Sequence, residues 1–222
     1  MVVFLNRGDA GEKLSHALEK YKNDDLVVIG IPRGGVVVAA QVAKALNAPL
    51  DVIIPRKIGA PHNPEVAIGA VTQDGTVIKD EVMVEILGIS DNQIQDLASQ
   101  VEQEISRRVN IYRGGRPGIE MSHKTIIVVD DGVATGYTVK AALQSVRRAG
   151  ARRLVLAVPV APADTAAVLN QLVDDFVCLH TPEIFYAVGQ FYHNFDQTTD
   201  EEVIELLAEA NDRNTNLVQS NQ

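Results

Sequence analysis

The sequence predicts an α/β fold: a mostly parallel central sheet with helices on both faces, a flexible hairpin and a small hood, all in a single domain of residues 1–222. Three observations predict it. Short apolar runs at 26–31, 50–55, 125–129 and 154–160 are rich in β-branched residues and read as buried parallel strands. Helical patterns and one hairpin separate them, and that alternation builds a parallel sheet. Two of the strands run through a small glycine-bearing loop straight into a helical pattern. Ligands of such sheets sit at the carboxyl ends of the strands, where Arg33, Arg56 and Asp130 all fall.

Bulk properties narrow the function. A chain of 222 residues with 46% hydrophobic content can bury a sizeable core. No apolar run is long enough to span a bilayer and no charged-then-apolar leader opens the chain, so no membrane partner is expected. The single Cys178 excludes a disulfide framework within the chain, and a reducing, cytoplasmic setting is the expectation. A net charge of −9 argues against nonspecific nucleic-acid binding, which needs a basic surface. A small anionic ligand stays open, because one basic loop can override the global sign.

Residues 1–24 read as a first strand and an amphipathic helix with Leu14, Leu18 and Tyr21 inward; Arg7, Asp9 and His16 are its polar candidates, and equally a solvated face. Strand 26–31 then enters Pro32-Arg33-Gly34-Gly35, a tight loop before a helix over 36–46. Its glycines let backbone approach a ligand, and Arg33 adds a bidentate cation; a plain βα turn with a surface arginine is the alternative. The strand at 50–55 ends in Arg56-Lys57. Turn formers crowd 58–65, and 66–71 with 76–78 read as a hairpin about Gln73-Asp74-Gly75. His62 in that loop reads as solvated.

Residues 80–112 read as one or two polar helices, started by Ser90-Asp91-Asn92-Gln93, with Ile94, Leu97, Val101, Ile105 and Val109 as an apolar stripe for the core or for a second copy in a homo-oligomer. Residues 113–117 read as a connector rather than a basic phosphate loop. Beyond 154–160, a helix over 162–173 and a short strand over 176–179 complete the core, with Cys178 a small buried hydrophobe and no metal-ligand spacing around it. The aromatics of 181–199 suit stacking on a planar ring, or a cluster closing the sheet edge. A short helix over 200–210 and a frayed tail over 211–222 finish the chain.

The densest signal is the run from Thr125 to Thr138. Apolar Ile126-Ile127-Val128-Val129 ends in adjacent carboxylates, Asp130 and Asp131. The loop Gly132-Val133-Ala134-Thr135-Gly136 follows, and Tyr137-Thr138 open a helix. Strand, loop and helix N-terminus bind phosphate through free N–H groups and the positive end of the helix dipole. Thr135 and Thr138 add hydroxyl donors, and the two acids are placed to accept from vicinal sugar hydroxyls. An Asp-Asp pair by itself reads as a helix cap or a solvated turn.

This combination closely resembles the phosphoribosyl-pyrophosphate (PRPP) motif of the type I phosphoribosyltransferase family. The resemblance covers roughly residues 20–180. It implies that Asp130 and Asp131 hold ribose hydroxyls, that Ala134, Thr135, Gly136, Tyr137 and Thr138 hold the 5-phosphate with Gly132 and Val133 also binding substrate, and that Arg33, Gly34 and Gly35 grip pyrophosphate. In many members the pyrophosphate loop carries a non-proline cis peptide, which would fall at Arg33-Gly34. It further implies Arg33, Arg56 and Lys57 as catalytic cations, a mobile loop over 58–78, a hood over 181–199 for the acceptor, and Mg2+ held through PRPP and Asp130 or Asp131. The implied reaction is transfer of phosphoribose to a nitrogen acceptor, a nucleobase. A PRPP- or nucleotide-sensing regulator on the same fold is the alternative. Ala134 stands where some oxopurine-specific members carry a carboxylate, so that loop supplies no side-chain base.

Overall fold

The computed structural model describes residues 3–220, with side chains described as far as Arg213. Its main sheet has five strands in the order β2-β1-β6-β7-β8, formed by β1 (Leu26–Gly30), β2 (Leu50–Val52), β6 (Thr125–Val129), β7 (Arg153–Val160) and β8 (Asp175–His180). Every pairing in it is parallel. Strand residues alternate between the two faces, which explains the two apolar cores. Leu26, Val28, Ile127, Val129, Val155 and Ala157 face one core, with α2 (Gly34–Leu46) and α7 (Asp200–Ser220). Val27, Ile29, Ile126, Val128, Leu154 and Leu156 face the other, with α5 (Tyr137–Arg148) and α6 (Ala163–Asn170). Each fully buried valine or isoleucine is worth about 1.5–3 kcal/mol, so both faces must be covered. The helices on both faces are the consequence.

The strand order reverses direction between β1 and β6. From β1 the chain goes outward to β2, and from β6 it goes the other way to β7 and β8. Gly30 pairs with Val129, so the loops after β1 and β6 leave the sheet side by side. A crevice at such a switch point is where open α/β sheets bind ligands.

Several elements differ from expectation. The expected first strand reduces to one isolated parallel bridge between Phe4 and Tyr192. The first helix, α1 (Arg7–Ala17), is capped by Asn6, whose Oδ1 accepts from Asp9 N–H at 2.9 Å, and passes into a 3-10 turn over Glu19–Tyr21. The strand expected over 50–55 stops at Val52. The turn-rich stretch after it forms two strands, β3 (Arg56–Ala60) and β4 (Asn63–Val71), which join β5 (Val77–Lys79) in a separate antiparallel sheet. Gly59 makes this feasible: a Cβ there would lie 2.5 Å from Pro64 O, and the register shifts on either side of it.

Residues 80–112 form two helices, α3 (Glu81–Leu87) and α4 (Asp91–Arg113), the second opened by the Ser90–Gln93 capping box and closed by Gly114 at φ 58°. Arg113 folds back as a buried fork on Asp51, at 2.9 and 3.0 Å, and the carboxylate also accepts from Ile119 N–H. The stretch 113–117 is therefore a connector pinned to β2. The last helix runs to Ser220, so the tail expected to fray from 211 is helical there, and residues 221–222 lie outside the described residues. No helix among the described residues is long and apolar enough to cross a membrane.

Candidate functional site

The loops leaving β1 and β6 press on each other. A Cβ built on Gly34 would lie 1.9 Å from Asp131 Oδ2, and one on Gly35 would lie 2.8 Å from Asp130 Oδ1. Only glycine fits at these two positions, so the Arg33–Gly35 backbone and the acidic pair form one surface. The peptide bond Pro32-Arg33 is cis, one residue earlier than the expected Arg33-Gly34. The Arg33 guanidinium stands 3.6 Å from Asp200 at the start of α7. Asp200 also accepts from the Tyr112 hydroxyl, which first among several contacts holds its carboxyl below the usual range.

Beyond the acids lies a run of backbone N–H groups without partners among the described residues. Val133 N–H is spent on Val160 O, and Lys140 N–H on Gly136 O. Between them, among the described residues, no N–H from Ala134 to Val139 donates a hydrogen bond. Gly136, at φ 78°, is the N-cap of α5 and offers no side chain to fill that role. Free donors at the positive end of a helix suit a phosphate. Ala134 and Thr135 are exposed, and Thr138 is partly buried. Tyr137 differs: its hydroxyl is turned to Asp80 Oδ2 at 2.5 Å, so only its backbone joins the run.

Asp130 and Asp131 are partly buried side by side, with Asp131 N–H on Asp130 Oδ1 at 2.9 Å. Burial, then the neighbouring Asp131 charge, pushes the Asp130 carboxyl well above the usual range. Burial raises Asp131 too, against the pull of Arg7, whose Nε lies 2.7 Å from Oδ2. Arg7 is the residue that sequence reasoning left on a solvated face. It is the first residue of α1, where a cation opposes the helix dipole; that misfit was its signal.

With both carboxyls raised, the folded pair gives up its protons at a higher pH than the unfolded chain, whose carboxyls titrate at the ordinary carboxylate value. The pair's contribution to stability is therefore full below that value and is lost as pH rises through the raised one. An ionised carboxylate accepts a sugar hydroxyl more strongly than a protonated one. Affinity for a phosphoribosyl ligand is thus expected to rise with pH through the same window, with proton release. Calorimetry in two buffers of different ionisation enthalpy measures that release. The comparison with Asp130→Asn removes the ligand's own phosphate titration, and identical pH profiles for the two proteins would contradict the expectation.

The structure does not bring Arg56 and Lys57 onto the acidic pair. Arg56 begins β3 and lies 3.8 Å from Glu104 of α4; Lys57 is exposed beside it, and His62 is exposed in the β3–β4 turn. The hood aromatics divide. Phe191 and Tyr192 are buried with Phe4, and Tyr192 donates to Asp131 O at 2.6 Å. Phe185 and the exposed Tyr186 instead line a cavity of about 840 Å3 with Ala134, Thr135, Asp164 and Glu183. That lining includes no lysine or arginine. Cys178 is partly buried and its thiol is pushed up by burial. Among the described residues no three His, Cys, Asp or Glu side chains gather as a metal site.

A five-stranded parallel sheet with a glycine loop, an acidic pair and a run of unpartnered N–H groups at its switch point defines the class of type I phosphoribosyltransferases. The chain belongs to the phosphoribosyl transferase domain family, whose model matches residues 6–196. It is 43% identical over 210 residues to Rv0571c of Mycobacterium tuberculosis, which carries a phosphoribosyl transferase name. The match takes in 95% of this chain and 47% of that protein, so the chain spans about half the length of this relative. The crystal structure of TT1426 from Thermus thermophilus is similar at a TM-score of 0.80 and 39% identity, over 94% of this chain and 99% of that one. The AQ2163 protein from Aquifex aeolicus, at TM-score 0.50, 10% identity and 82% and 78% coverage, shares the fold alone.

Proposed function

We propose that the chain transfers the 5-phosphoribosyl group of PRPP to a nitrogen of a heterocyclic base and releases pyrophosphate. One observation carries this: the unpaired N–H run from Ala134 to Val139 lies one step beyond the acidic pair that Gly34 and Gly35 touch. A 5-phosphate on that run sets ribose over Asp130 and Asp131 and its C1 substituent against the 33–35 loop. The C1–O bond to pyrophosphate breaks as the acceptor nitrogen bonds to C1 from the opposite face, and the nitrogen's proton leaves to solvent. The transition state has oxocarbenium character, so the chain contributes positioning and charge. Arg33, after leaving Asp200, offsets the charge gathering on pyrophosphate, and Arg56 and Lys57 add to it when the β3–β5 sheet closes and excludes water.

Two adjacent carboxylates with no third protein ligand fit magnesium, which binds through one or two carboxylates and the oxygens of a phosphorylated substrate. Asp130 and Asp131 would hold magnesium, which when bound would offset the negative charge of the leaving group. The composition and the single cysteine support a cytoplasmic setting. The exposed Val82, Ile86 and Leu87 of α3 support a homo-oligomer.

Pyrophosphate release with magnesium, PRPP and a panel of bases tests the proposal. Release is expected with a base that offers N–H donors to Asp164 and Glu183. None is expected with a carboxylate-bearing base such as orotate, which meets two like charges and no cation. PRPP binding without turnover across the whole panel would favour the regulator.

A further inference from the structure

We propose that Arg7 is a positioning residue of the phosphoribosyl site: it fixes the Asp131 carboxylate for the ribose hydroxyls. The proposal rests on the reading above. Three contacts hold the guanidinium. Nε lies 2.7 Å from Asp131 Oδ2, Nη1 donates to Asp196 O at 2.6 Å, and the plane stacks 3.8 Å from the centre of the Phe195 ring. Both ends of the ion pair are largely buried, at 13% and 15% exposure.

Burying a guanidinium is costly, and so is starting a helix with a cation. The chain accepts both at one residue, and the return is control of one carboxylate. The Asp131 backbone is held as well: Tyr192 donates to its carbonyl at 2.6 Å, and its N–H donates to Asp130 Oδ1 at 2.9 Å. Its side chain has the Gly34 backbone on one side, since a Cβ there would lie 1.9 Å from Oδ2. Arg7 takes that same Oδ2, which leaves Oδ1 for a ribose hydroxyl. The guanidinium also ties the start of α1 to Phe195 and Asp196. A purely structural staple would give the same contacts, but it would have no preference among ligands.

The test therefore compares two ligands by calorimetry, each with magnesium. Ribose 5-phosphate carries the hydroxyls; inorganic pyrophosphate does not. Arg7→Gln is expected to weaken ribose 5-phosphate at least tenfold and to leave pyrophosphate within twofold. Turnover of the same variant should show a raised KM for PRPP with kcat less affected. Arg7→Lys keeps the charge on Asp131 but gives up Asp196 and the ring, so it should recover part of the ribose affinity. It also serves as the test if Arg7→Gln does not fold, with an expected three- to tenfold loss for ribose 5-phosphate alone. Lys13→Gln, which removes an exposed pair to Asp9, is the control and should change neither ligand. Unchanged ribose 5-phosphate affinity in both Arg7 variants, or equal losses for both ligands, would overturn the role of Arg7. Failure of the wild-type protein to bind ribose 5-phosphate at all would instead overturn the proposed function beneath it.

Discussion

Gly34→Ala is expected to lower PRPP affinity by about 10- to 100-fold, equivalent to about 1.4–2.8 kcal/mol. The new methyl would fall 1.9 Å from Asp131 Oδ2, and Arg7 Nε would be 2.5 Å away. Neither is a free end that can swing aside, because the carboxylate and the guanidinium hold each other. The loop must lift from the acidic pair, and overpacking of this kind costs about 1–3 kcal/mol of stability as well. Gly114→Ala is the informative comparison. It strains a left-handed glycine, at φ 58°, where a Cβ meets nothing within 4 Å. It should lower stability and leave PRPP affinity intact. Titration of both variants with PRPP and magnesium separates loss of the site from loss of the fold. Equal affinity in Gly34→Ala and wild type would show that the two loops do not share a ligand.

Replacing both acids, Asp130→Asn with Asp131→Asn, is expected to remove PRPP binding while the protein still folds. Amides keep the volume but lose the charge that accepts from hydroxyls and attracts magnesium. The single change Asp130→Asn should also stabilise the unliganded protein near neutral pH. Burial and the adjacent Asp131 charge work against ionised Asp130, and the amide is free of both penalties. A site residue whose removal raises the melting temperature and lowers affinity is being kept for its ligand. A double variant with lower stability and unchanged affinity would mark the acids as structural.

Much of this architecture is legible in the sequence, for identifiable reasons. Ile126–Val129 and Val27–Ile29 are β-branched runs with no competing helical reading, and both are buried strands. The two loops at the switch point are legible as loops because their parts are contiguous: Asp130, Gly136 and Thr138 follow one strand, and Arg33 to Gly35 follow another. Contacts across long separations are not legible. Arg7 and Asp131 are 124 residues apart, and nothing near Arg7 specifies its partner. The same holds for Arg33 with Asp200, and for Arg56 with Glu104. Strand β3 was hidden for a different reason. Gly59, Pro61 and Pro64 are turn formers by local preference, yet here they permit a close, bulged pairing of β3 with β4. The aromatic stretch after 181 packs partly on itself, with the Phe185 ring 5.4 Å from that of Phe191. Phe191 and Tyr192 close the sheet edge, while Phe185 and Tyr186 face the cavity beside Thr135.

The central claim is that the Asp130–Asp131 pair and the N–H cradle from Ala134 to Val139 together hold a phosphorylated ribose. Calorimetric titration of PRPP with magnesium into the wild-type protein and into the folded double asparagine variant tests it most directly. A saturable wild-type isotherm is predicted, with at least a hundredfold loss in the variant. Equal dissociation constants for the two proteins would contradict the claim.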